Sequence, residues 1–255
     1  MIFLKSPHEI EIMRVANRIV SEILAEVREK VVPGISTAEI DQIASSLIRK
    51  KGARSAFKGY RIRNGMVPFP ATICVSLNDE VVHGIPSPQR IIRAGDVVSL
   101  DCGVIYQDFY GDAALTFVVG EADPEVQRLL RTTAAALEEG IAQARVGNRL
   151  GDISAAIQEK VEREGFSVVR EFVGHGIGRH LHEDPQVPNY GVRDRGMRLR
   201  EGLVLAIEPM VNMGRPEVVM KSDGWTAVTK DGSISAHFEH SIAITEKGPL
   251  VLSRA

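Results

Sequence analysis

Hydrophobic and polar positions along the chain follow two alternating periods. Ser6-Pro7-His8-Glu9 has the Ser-x-x-Glu spacing of a capping box, with proline at the first helical position. Residues of the inward face then recur at helical spacing (Ile10, Met13, Ala16 or Asn17, Val20, Ile23 or Leu24, Val27) as far as Val32-Pro33-Gly34, which predicts a long amphipathic helix. Ser36-Thr37-Ala38-Glu39 predicts the start of a second helix, running to about Lys51-Gly52. Asp123-Pro124-Glu125 opens a third that breaks near Val146-Gly147, and a fourth runs from about Leu150 to Glu164-Gly165. The two pairs match at an offset of 113: Gly34 with Gly147, Glu39 with Asp152, Ile40 with Ile153, Ile48 with Val161, Gly52 with Gly165.

The segments between are strand-like, and they repeat too. Residues 93–101 align with residues 200–208 at an offset of 107, each a glycine turn and then an apolar strand ending in a carboxylate, Asp101 or Glu208. Asp112 then precedes Ala-Ala-Leu-Thr-Phe-Val-Val, and Glu239 precedes His-Ser-Ile-Ala-Ile-Thr. Each half is expected to supply one strand ending in an acid and one beginning with an acid. A duplication about a pseudo-two-fold axis would gather all four acids at its centre. The expected class is α/β (α+β), as one domain over residues 1–255.

Composition narrows the class. With 255 residues, 44% hydrophobic and 25% charged, the chain reads as an ordinary globular protein. A formal net charge of -2 gives no general attraction to nucleic acid or anionic membrane. No apolar run approaches the roughly 18 residues of a bilayer span. The first residues turn polar after four apolar positions, so no secretory signal is expected. Two cysteines, Cys74 and Cys102, are too few for a disulfide framework, and a reduced, cytoplasmic setting is expected.

A lone acid at a strand end is ordinarily solvated or ion-paired. Four in register, with few basic residues beside them, ask for cations, because buried acids are costly unless paired or metal-bound. Four carboxylates can neutralise two divalent ions, and such a pair can activate a shared water. Histidines stand close by. His175 lies in Gly174-His175-Gly176-Ile177-Gly178-Arg179-His180-Leu181-His182-Glu183, where flanking glycines let backbone approach a ligand cluster. His83 follows the short apolar run Val81-Val82 and faces Gly84-Ile85-Pro86. The spacing of Gly174, Gly176 and Gly178 does not fit a dinucleotide loop. No Gly-x-Ser-x-Gly elbow occurs, and neither cysteine has an activating histidine beside it in sequence.

Taken in order, Val-Val-His83-Gly-Ile-Pro, Asp101 followed by Asp112, Gly-His175-Gly-Ile-Gly-Arg with His182-Glu-Asp-Pro, Ile-Glu208-Pro-Met and Phe-Glu239-His resemble the type I methionine aminopeptidases, bacterial-type members of the M24 metallopeptidases. The resemblance covers nearly the whole chain. It implies a pita-bread fold, a curved antiparallel sheet with helices on its outer face and two metals at the pseudo-two-fold. It implies the metal ligands Asp101, Asp112, His175, Glu208 and Glu239, with Asp101 on one ion, Asp112 and Glu239 bridging, and His175 and Glu208 on the other. It further implies attack by a hydroxide held between the metals, proton transfer through Glu208, His182 on the scissile carbonyl oxygen and His83 on the scissile nitrogen. Cys74, Leu181 and Trp225 would wall the methionine pocket with His83 at its edge. Co²⁺, Mn²⁺ or Fe²⁺ suits so oxygen-rich a set, with Zn²⁺ an alternative. The implied partners are N-termini of nascent polypeptides, with transient ribosome contact left open, and a monomer without nucleic-acid substrate or membrane.

Four features depart from the family's pattern. The stretch Gly59 to Pro70 is longer than usual, leaving open whether Tyr60 or Phe69 caps the pocket. Leu181, Ala206 and His237 stand where an aromatic, a threonine and a glutamine are common. Two other readings stay open: an Xaa-Pro aminopeptidase or prolidase with the same ligand set, and a non-catalytic peptide-binding module. The arginines at 193, 195, 198 and 200 read as a solvated loop.

Overall fold

A computed structural model describes residues 2–61 and 67–254. Four helices and fifteen strands occur among the described residues, and the helices start where their local chemistry dictates. Helix α1 (Pro7–Lys30) has the reciprocal Ser6–Glu9 capping box, and α2 (Thr37–Lys50) has the same box from Ser36 and Glu39. Helix α3 (Pro124–Gln143) is capped by Asp123, and α4 (Leu150–Arg163) follows. These are the four predicted helices, within a residue or two at their ends except that α3 stops at Gln143, three residues short of the predicted break near Val146.

The principal sheet is antiparallel, with strand order β1 (Arg54–Ser55), β4 (Val97–Tyr106), β5 (Phe109–Val118), β14 (Glu239–Thr245), β9 (Val204–Ile207), β7 (Gly174–Gly176) and β8 (Glu183–Val187). Strand β2 (Cys74–Leu77) also pairs with β4, and β15 (Gly248–Val251) with β14. The smaller strands β3 (Glu80–Val82), β6 (Ser167–Val168), β10 (Met210–Asn212), β11 (Val218–Met220), β12 (Ala227–Thr229) and β13 (Ser235–His237) form two flanking three-stranded sheets. The β4–β5 hairpin and α1–α2 make one half; β9, β14 and α3–α4 make the other. The halves meet where β5 pairs with β14, as the repeat predicts.

Strand alternation separates core from site. Val98, Leu100, Cys102 and Val104 of β4, with Ala113 and Phe117 of β5, pack beneath α1 and α2. Leu205 and Ile207 of β9, with Ile242 and Ile244 of β14, pack beneath α3 and α4. Each fully buried aliphatic chain contributes roughly 1.5–3 kcal/mol, so the outer face is the stable one. Asp101, Asp112, Ala114, Ala206, Glu239 and Ser241 alternate with those residues and so point to the other, inner face. No described helix is long and apolar enough to cross a membrane.

One expectation about the strands is corrected. Asp101 does not end its strand and Asp112 does not begin one, because β4 runs on to Tyr106 and β5 starts at Phe109. The two join through Gln107 and Asp108, both left-handed at φ 47 and 61. That is the backbone a tight hairpin turn needs, but glutamine in place of Asn or Gly hides it in the sequence.

Candidate metal centre

Register brings the predicted acids together. Cys74 pairs with Asp101, Asp101 with Ala114 and Ala114 with Glu239, one row across β2, β4, β5 and β14. Asp112, two residues from Ala114, shares the face of that row. Ala114 has only a methyl group, which leaves room between the acids. A second row runs from His175 through Ala206 to Ser241, and Glu208 lies two residues beyond Ala206. Hydrogen-bond donation by Ser241 Oγ to the Asp112 carbonyl oxygen at 2.8 Å ties the rows together. The backbone crowds here: a Cβ on Gly174 would lie 2.4 Å from the Ala206 carbonyl oxygen, and one on Gly176 2.3 Å from that of Asp184.

Asp101, Asp112, His175, Glu208 and Glu239 all border one cavity of about 710 Å³. Asp112, His175 and Glu239 each offer a ligand atom, all within 4.8 Å of one another. Glu208 lies 3.4 Å from His175 Nε2 and 3.7 Å from His237 Nε2. Asp101 Oδ1, Asp112 Oδ1 and Glu239 Oε1 are buried without a hydrogen-bond partner. Three orphaned acceptors in one place are a large cost for a protein alone, and the lone pairs match the needs of hard cations. His175 suits the same task. Its Nδ1 donates to the Gly176 carbonyl oxygen at 2.9 Å, so in the neutral ring Nε2 is left with its lone pair toward the acids. The donor set therefore fits divalent metal.

Electrostatics in the metal-free protein agree. Burial raises Asp101 to about 7. Burial and then neighbouring acid charge push Asp112, Glu208 and Glu239 well above the usual carboxylate range. Burial lowers His175 and His237 to about 3 and His83 to about 4, so these rings are neutral.

A pH dependence follows. Asp101 in the folded chain titrates near 7 against an ordinary 3.8, so between those values the folded state binds more protons. Through that range Asp101 itself makes metal-free stability fall as pH rises. The depressed histidines, His182 and His240 among them, act oppositely, and their effect fades within about one pH unit above their ordinary value of 6.5. Above about pH 7.5 these histidines are neutral in both states, so the carboxylates held well above their usual range act alone there. Chelated protein should therefore melt lower at pH 9 than at pH 7.5, by about 2–4 °C for each kcal/mol lost. A divalent ion should flatten the slope, as measured by calorimetry; a rising Tm in chelator would contradict the buried-acid account.

The remaining predicted residues line the same cavity: His83, His182, Cys74, Leu181 and Trp225. Trp225 is only 4% exposed, and its Nε1 donates to the Val67 carbonyl oxygen at 2.9 Å. Phe69 meets it edge-on at 5.2 Å between centroids. His83 is left-handed at φ 61 and stands edge-to-face with Phe172 at 5.5 Å. Tyr60 and Phe69 both border the cavity, and the base of their loop is closed by the Phe69 N–H donating to the Tyr60 carbonyl oxygen and the Gly59 N–H donating to that of Phe69, each at 2.9 Å. Residues 62–66, the middle of the long Gly59–Pro70 stretch, lie outside the described residues.

Sequence reasoning missed two partners. The Tyr60 hydroxyl shares a short hydrogen bond with His182 Nδ1, across 122 positions of chain. His182 in turn stacks at a tilt on His175, 4.3 Å between ring centroids. His237 was noticed only as a departure; its Nε2 is buried, without a hydrogen-bond partner, and faces Glu208. A local motif could reveal neither contact.

Comparison with known proteins places this geometry. The profile of Metallopeptidase family M24 matches residues 11–246. The methionine aminopeptidase of Clostridium perfringens is 51% identical over 253 residues, covering 99% of both chains. Methionine aminopeptidase 1 of Bacillus subtilis is 51% identical over 254 residues, covering 100% of both. The crystal structure of methionine aminopeptidase from Thermotoga maritima superposes with a TM-score of 0.96 at 49% identity, again over 100% of both chains.

Proposed function

The chain belongs to metallopeptidase family M24, and on that premise we propose that it hydrolytically removes the N-terminal methionine from nascent proteins and peptides whose second residue is small. The observation that carries this reading is a floor of unpartnered, buried carboxylate oxygens beneath an apolar pocket. Asp101, Asp112, His175, Glu208 and Glu239 would hold two divalent ions per chain, Co²⁺, Mn²⁺ or Fe²⁺, with Zn²⁺ an alternative. Such ions, when bound, act as Lewis acids and make water nucleophilic at neutral pH.

The side chains supply the rest. Glu208, as the carboxylate, takes the proton of the attacking water and passes it toward the leaving amine. His182 hydrogen-bonds the scissile carbonyl oxygen as negative charge develops there. Its side chain is open to solvent, yet desolvation by the cavity walls lowers the ring to about 4, so a Tyr60 hydroxyl that donates to Nδ1 leaves the ring proton on Nε2, the nitrogen aimed at substrate. His83 contacts the scissile nitrogen, its backbone carbonyl oxygen accepting from Thr226 Oγ1 at 3.3 Å. Cys74, Leu181 and Trp225, joined by Tyr60 and Phe69, surround the unbranched methionine side chain. The acidic floor receives the free amine. The setting is the cytoplasm, where one chain acts as a monomer on N-termini leaving the ribosome.

Peptides test the reading. We expect kcat/KM for Met-Ala-Ser to exceed that for Leu-Ala-Ser by about 10–200-fold, the range an apolar pocket achieves per misplaced methylene. Met-Leu-Ser should be poor and formyl-Met-Ala-Ser uncleaved. Preference for an X-Pro peptide would replace this reading with that of a prolidase, and no cleavage by metal-loaded protein would favour a binding module.

A further inference from the structure

The segment just before α1 crosses the loop that carries His182. Lys5 is 8% exposed, and its backbone N–H donates to the Gly202 carbonyl oxygen at 2.7 Å, pinning the segment beside β9. Its ammonium reaches over Gly178 and makes a short ion pair with Glu183 Oε2, with side-chain exposures of 6% and 4%. Gly178 leaves the path open: a Cβ there would lie 2.3 Å from Lys5 Cε and 2.6 Å from Glu183 Oε1. The other oxygen of Glu183 is also occupied. Glu183 Oε1 accepts the backbone N–H of Arg179 at 2.8 Å and that of His180 at 3.2 Å. One carboxylate thus closes the turn from Arg179 to Glu183 on itself, and one buried lysine holds that carboxylate in place. His182 lies inside the closed turn, one residue before Glu183.

We propose that Lys5 and Glu183 are positioning residues, which set the backbone of the turn and through it the direction of the His182 imidazole over the cavity. The proposal rests on the role given to His182 above. Tyr60 fixes the ring from its Nδ1 side, while Glu183 fixes the main chain that carries it. A buried pair that served packing alone would not need its second oxygen spent on two amides of this turn. The Lys5–Glu183 link is long-range, 178 positions apart in sequence, so it ties the N-terminal segment to the turn that carries His182. A displacement of about 1 Å at a positioned group can cost about 10²-fold in rate.

A double-mutant cycle on the metal-loaded full chain tests this. Lys5→Met keeps the stem over Gly178 and removes the charge; Glu183→Gln keeps an acceptor for the two amides and removes the partner of Lys5. Either is expected to lower kcat on a Met-Ala-Ser peptide about 10–100-fold, with metal content and KM changed less than about threefold. In a His182→Ala background the same changes should cost less than about twofold, because nothing remains to be aimed. Should Lys5→Met fail to fold, the cycle is run with Glu183→Gln. Equal losses in both backgrounds, or unchanged kcat in the single variants, would overturn the proposal while His182 keeps its role. Full activity in His182→Ala alone would instead overturn the role of His182, and this proposal with it.

Discussion

Asp101→Asn and Glu239→Gln are each expected to abolish turnover while the fold survives. Asp101 and Glu239 occupy one register row on the inner face, separated by Ala114, and each presents a buried oxygen without a partner. An amide in either place removes one negative charge and puts N–H donors where the proposed cations would sit. Lewis-acid stabilisation of the transition state is worth several kcal/mol, and each 1.36 kcal/mol is tenfold in rate. Loss of one ion therefore predicts a drop beyond about 10³-fold, with metal stoichiometry falling in parallel by atomic absorption. Stability should move the other way. Burial and mutual repulsion already push these acids toward protonation, so a neutral amide relieves a cost that the metal-free protein bears at pH 8. Chelated Asp101→Asn should then melt no lower than the chelated parent. Full activity with full metal content in either variant would remove that acid from the site.

The helices and the acids were legible because their signals are local or repeated. Ser6 with Glu9 and Ser36 with Glu39 are self-contained capping boxes, and the offset of 107 put Asp101 and Glu208 at equivalent places. The end of β4 was illegible because Gln107 and Asp108 adopt left-handed backbone without the residues that advertise it. Register was also beyond reach: nothing along the chain says that Ala114 sits between Asp101 and Glu239, or that Ala206 sits beside His175. What surrounds the acids was hardest to see. Tyr60 on His182 and Lys5 on Glu183 are contacts made by folding, between segments with no shared pattern. Residues that bear charge into an apolar strand betray themselves, and those that merely orient them do not.

His175 and His182 stack against each other, yet their loss should read out differently. His175 is fully enclosed, neutral, and turned so that Nε2 faces Glu208 while Nδ1 is spent on Gly176. His175→Ala should cost metal first: weakened binding in titration, with activity recovering as the ion is raised. His182 has no such place among the acids. Its Nδ1 is engaged by Tyr60, and its ring opens on the cavity where a carbonyl oxygen would develop charge. His182→Ala should keep full metal content and lose about 10²–10³-fold in kcat, the usual loss for one oxyanion donor. Tyr60→Phe separates tautomer from presence, since it leaves the imidazole but frees Nδ1 to carry the proton. A loss of about 10–100-fold, the range typical of groups that orient a functional histidine, is expected there, again with metal retained. Metal loss in His182→Ala together with metal retention in His175→Ala would mean the two roles are exchanged. In that case Tyr60 would be orienting a ligand instead of an oxyanion donor.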